Sequence, residues 1–128
     1  MLHLRLSVFF LLLVISSGLF AQNPDAFTCT DDIKTVVTKL DKEVVFCGTP
    51  SAIKVVSSAE YNRILIDFGG AFPNNTFTVT ISGKVSGAEH EKLKERFEGK
   101  ELMVKGTVQL YKEKPQINVQ HMEDIGVK

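Results

Sequence analysis

The stretch GKELMVKGTVQLYKEKPQI, residues 99–117, constrains the fold more than any other part of the chain. It reads as a long strand, a short charged turn at Lys112-Glu113-Lys114 and a second strand. Just before it, AEHEKLKERF (88–97) sets Leu93 and Phe97 four apart on one helical face, and Gly99 stands where a helix C′ residue would. Two strand patterns precede that helix. Strands, a lone helix and a closing hairpin are the order of a small five-stranded barrel. The predicted class is therefore all-β, with a helix between strands three and four.

The other strands follow from alternation. In 63–68, Ile64, Ile66 and Phe68 form the apolar set, with Arg63, Leu65 and Asp67 on the opposite face. In 77–82, Phe77, Val79 and Ile81 alternate with Thr78, Thr80 and Ser82. DKEVVFCGTPSAIKVVSS supplies a first strand with a break at 48–50, because Pro50 cannot donate to a ladder. Ile33, Val36, Val37 and Leu40 fit a helical face, which predicts a helical segment at about 30–40 capped by Thr30 or Asp31. Residues 83–87 read as a loop. LDKEVVFCGT (40–49) aligns without a gap on EGKELMVKGT (98–107), which reads as one supersecondary unit used twice.

The first residues have the layout of a secretory signal. Arg5 is a positive n-region, 6–15 is an apolar run broken only by Ser7, and Ala21 offers a cleavage site. The expectation is a leader at 1–21 and a single domain at 22–128, exported to the periplasm or the exterior; an uncleaved N-terminal anchor is the alternative. After export, Cys29 and Cys47 favour one disulfide, with two separate buried thiols as the other arrangement. The whole chain has 15 Lys and Arg against 15 Asp and Glu, so losing Arg5 leaves a slightly acidic domain. That balance counts against strong non-specific binding of nucleic acid, though it leaves room for a local basic patch.

Catalytic signatures are missing: there is no G-x-S-x-G, no H-E-x-x-H and no free-thiol nucleophile. No enzyme activity, cofactor or metal site is expected. His90 and His121 read as surface residues, and Asp67 is the one carboxylate set within a strand pattern. The inward set takes Phe68 and Phe77, so the aromatics left for recognition are Tyr61, Phe72 and Tyr111, with Lys54, Arg63, Lys112 and Lys114 to supply charge. Phe72 also reads as a Phe-Pro cap on a barrel end. Asn74-Asn75-Thr76 matches a glycosylation acceptor and is read as turn composition.

VVFCGTPSAIKV, ILIDFGGAFPNNTFTVTI and EGKELMVKGTVQLYKEKPQI together resemble the OB-fold superfamily, over about 41–125. The nearest likeness is to small exported bacterial OB-type domains and to domains attached to nucleases. The resemblance implies a five-stranded Greek-key barrel and a non-enzymatic binding module, with its ligand on the second and third strands and their loops. Single-stranded nucleic acid or another extended polar polymer is the implied ligand, and the residues that would carry it are Tyr111, Lys112, Lys114, Arg63, Phe72 and Lys54. The alternatives are a periplasmic or secreted structural or stress-associated protein that binds other proteins, and a nuclease accessory domain.

Overall fold

The computed structural model describes residues 28–58, 62–86 and 90–128. The expected leader at 1–21 and Tyr61 lie outside the described residues. The elements in chain order are α1 (Ile33–Val36), β1 (Glu43–Gly48), β2 (Ala52–Ser57), β3 (Asn62–Phe68), β4 (Phe77–Ser82), α2 (Gly83–Ser86), α3 (His90–Phe97), β5 (Leu102–Tyr111), β6 (Lys114–Val119), a 3-10 turn (Met122–Asp124) and β7 (Ile125–Val127).

The fold is mostly β, as expected, but among the described residues its sheet has seven strands instead of five. The hydrogen-bonded path runs β1-β5-β6-β4-β3-β2, and β7 pairs with β5. Two features raise the count. The first predicted strand is split at Thr49-Pro50-Ser51, where Pro50 interrupts the ladder before Ser51 N donates to Asp67 O at 2.8 Å. The chain end then adds β7 beside 102–104 of β5. All pairs are antiparallel except β4 with β6, which are joined through α2, α3 and β5.

The period-two readings of β3 and β4 hold at the core. Ile64, Ile66, Phe68, Phe77, Val79 and Ile81 are buried, and Phe46 meets Phe68 and Phe77 edge-on with centroids 4.8 and 5.1 Å apart. Leu93 and Phe97 bury one face of α3 against the same cluster. The sequence echo has a geometric basis. The β-portions of its two copies pair with each other, and the equivalent residues Phe46 and Val104 stand opposite one another, so a local two-fold axis passes through that pair. Asp41 and Gly99, also equivalent, both turn the chain into the following strand through positive φ, at 63° and 70°. Gly48 and Gly106 complete the match, since a Cβ would lie 2.7 Å from the Phe46 ring at the first and 2.5 Å from Ile117 Cγ2 at the second.

The N-terminal helix is shorter than predicted, a single turn at 33–36 instead of a segment at 30–40. Its cap is Asp32, which accepts from Lys34 N and Thr35 N at 2.9 Å while Asp32 N donates to Thr35 Oγ1. The run Thr35-Val36-Val37-Thr38 disfavours extension, and Leu40 leaves the helical face to bridge Val108. Asp31 is instead buried beside β1, with its N–H on Val45 O and its carbonyl accepting from Cys47 N. Its carboxyl sits below the usual range, chiefly because Lys39 bonds to it at 2.6 Å and Thr30 Oγ1 donates at 2.7 Å, against the upward push of burial. The disulfide Cys29–Cys47, with Cα atoms 5.6 Å apart, ties this segment to β1.

Two further expectations are corrected. Residues 83–86 are helical instead of a loop; Ser86 Oγ donates to Ser82 O and Val85 packs against the core. His90, at the start of α3, is buried instead of exposed, with Nε2 against Ser86 Oγ.

Candidate functional site

The outward faces of β2, β3, β4 and β6 lie in register. One cross-strand row is Ala52, Asp67, Thr78 and Gln116, and the next is Lys54, Leu65, Thr80 and Asn118. These rows, Asn118 apart, form the floor of a groove of about 710 Å³. Two loops rise beside it. The first, 69–76, leaves β3 through Gly69 and Gly70, both at positive φ, and contains the cis Phe72–Pro73 bond. It is pinned by Gly70 N to Ser51 Oγ at 2.9 Å and Thr76 N to Phe68 O at 3.0 Å. The second is the two-residue turn Lys112-Glu113 of the β5–β6 hairpin, where Tyr111 pairs with Lys114.

Both turn residues have positive φ, 48° and 67°, the geometry of a I′ hairpin turn normally supplied by Asn-Gly. Lys and Glu hold it here at a cost in strain. The turn carries Tyr111 and Lys112 to the groove, with Lys112 Nζ 5.5 Å from the Tyr111 ring centroid. Lys114 reaches back from the hairpin, donates to Pro73 O and lies 5.5 Å from the Phe72 centroid. It thereby links the two loops.

All six candidates from the sequence, Lys54, Arg63, Phe72, Tyr111, Lys112 and Lys114, line this one groove. Phe72 is 75% exposed and does not cap the β-structure, while Tyr111 is 51% exposed. Arg63 Nε is buried with no hydrogen-bond partner among the described residues. Among the described residues, four cationic side chains and one carboxylate, Asp67, thus line the groove, a local charge hidden by the near-neutral total.

Sequence reading missed the floor. Asp67 is outward in register yet 7% exposed, because Asn75 and Thr78 close over it; Asn75 Nδ2 lies 3.3 Å and Thr78 Oγ1 3.1 Å from its Oδ1. Asn75 itself is buried, and its Nδ2 also reaches Thr78 Oγ1 at 2.6 Å. The NNT triplet gave a signal only for a turn or a modification, and the use of its second Asn depends on the pairing of β3 with β4. Thr80 is likewise buried, its hydroxyl against Asn118 Oδ1. A second cleft of about 470 Å³, lined among others by Glu43, Lys105, His121 and Asp124, mixes both charges and has no aromatic lining.

No protein-family model matches the chain, and no curated protein matches its sequence. The functional reading therefore rests on the groove.

Proposed function

We propose that the chain is a non-enzymatic exported binding module of OB type whose groove holds single-stranded nucleic acid. The observation that carries this is the pair of exposed aromatics, Phe72 and Tyr111, beside a groove with four cationic side chains. Bases stack on such rings whatever their sequence, and Lys and Arg hold the backbone. Phe72, 75% exposed and set beside Tyr111 and Lys114 on one groove, favours a stacking site over a purely solvated face.

Several features favour the OB reading. If β1 and β2 are taken as one strand bent at Pro50, the order β1-β5-β6-β4-β3-β2 returns to its start. A parallel β4–β6 pair and helices placed between β4 and β5 fit the same topology. The Cys29–Cys47 bridge suits an oxidising compartment, and among the described residues no helix is long and apolar enough to cross a membrane. Both are compatible with export, and cleavage after Ala21 is part of the proposal.

Fluorescence anisotropy of labelled single-stranded DNA and RNA tests the proposal. Binding is expected at low salt, and Phe72→Ala and Tyr111→Ala should each weaken it by about 1–3 kcal/mol. With four cations available, the slope of log K against log salt should be no steeper than about −3. Absence of binding at low salt, or binding untouched by both substitutions, would overturn it. If a polar glycan binds instead, the groove keeps its role and loses this ligand.

A further inference from the structure

Asp67 is out of place in a groove that grips phosphates. It is buried, it faces the groove, and no ion pair to Lys54 or Arg63 neutralises it among the described residues. Asn75 and Thr78 fix its orientation through Oδ1. A carboxylate at neutral pH accepts hydrogen bonds and donates none. Held on the floor, it repels phosphate and attracts N–H groups.

Arg63 is set apart from Asp67 along the groove, while Lys114 lies 5.5 Å from the Phe72 ring centroid. Lys54 sits one cross-strand row from Asp67, and Arg63 lies four residues along β3 from it, about 13 Å at the rise of a strand. Phe72 belongs to the loop that also holds Asn75, on the Asp67 side. A backbone drawn toward Lys54 and Arg63 leaves a base stacked on Phe72 with its edge toward Asp67.

Resting on the reading of this groove as a single-strand site, we infer that Asp67 selects bases that present an exocyclic amino group, cytosine over uracil or thymine. Cytosine offers its N4 amino donors, a pairing that carboxylates make. Uracil and thymine place a carbonyl oxygen at that position. Their one imino donor is flanked by two carbonyls, both repelled by the carboxylate. Asn75 and Thr78 act as positioning residues, holding Asp67 in place through Oδ1.

Oligo-dC and oligo-dU of equal length provide the test, because the two bases differ in the amino or carbonyl group at position 4 and its consequence at N3. Anisotropy titrations on the purified protein should find dC about tenfold tighter than dU. In Asp67→Asn, whose amide can accept from one base and donate to the other, the ratio should fall to near one. Equal affinity of the unaltered protein for both oligonucleotides overturns the inference while leaving single-strand binding intact, and this comparison needs no variant that must fold. A dC preference that persists in Asp67→Asn also overturns it. If neither oligonucleotide binds, the proposed function falls and the inference falls with it.

Discussion

Gly106→Ala probes the packing that sets β5 against β6 and so aims the Tyr111 hairpin. A Cβ at this position would lie 2.5 Å from Ile117 Cγ2, where ordinary contact begins at 3.4 Å. Close to 1 Å must be absorbed by a shift of Ile117, which is fully buried, or of the β1–β5 ladder in which Gly106 faces Val44. Overpacking of this kind costs about 1–3 kcal/mol, and replacing Gly returns about 0.4–1 kcal/mol through the unfolded state, leaving a net loss of about 1.3 kcal/mol at mid-range and about 2.6 kcal/mol at most. Melting followed by circular dichroism should show a drop of about 4–8 °C for each kcal/mol in a domain of this size. Ile117→Ala removes Cγ2 and leaves Cβ at 3.9 Å, so adding Gly106→Ala to that variant should cost almost nothing. Equal destabilisation in both backgrounds would refute the steric argument and give the glycine a backbone role instead.

Three other outcomes are expected. Removing the disulfide, by Cys29→Ser with Cys47→Ser or by reductant, should lower stability by about 3 kcal/mol in the chain-entropy model, read as a shifted denaturant midpoint. Because the Lys39 ammonium holds the Asp31 carboxyl below the ordinary carboxylate range, its contribution is complete above the unfolded value and is lost as pH falls through the lower folded one; Asp31→Asn should therefore lower stability at neutral pH and flatten the acid limb, seen by melting as a function of pH. Replacing Lys112-Glu113 with Asn-Gly should raise stability by about 1 kcal/mol through relief of positive φ, while weakening oligonucleotide binding through loss of Lys112.

Much of the fold was legible because β3 and β4 alternate cleanly and the hairpin carries its own turn. The break at Pro50 was visible as a missing donor. The N-terminal helix was overextended because the spacing of Ile33, Val36, Val37 and Leu40 imitates a helical face, whereas β-branching and the Leu40–Val108 bridge end it after one turn. β7 is three residues long and forms only because 102–104 of β5 offers an edge, so local pattern could not show it. The burial of His90 accompanies the packing of α3 on β2 and β3, a tertiary event with no sequence period. At the groove, charge and aromaticity in loops pointed to Lys54, Arg63, Phe72, Tyr111, Lys112 and Lys114, and the strand register places them around one space. The Asp67–Asn75–Thr78 floor needed that register before it could be seen.

The central claim is that single-stranded nucleic acid lies in the groove between the 69–76 loop and the Lys112-Glu113 hairpin. Backbone amide shifts measured by NMR during titration with a short single-stranded oligonucleotide test it most directly. The account predicts perturbations concentrated at 52–54, 63–67, 71–78 and 111–116, with α1 and β7 unmoved. No perturbation at low salt, or shifts centred on the Glu43, Lys105 and His121 cleft, would contradict it.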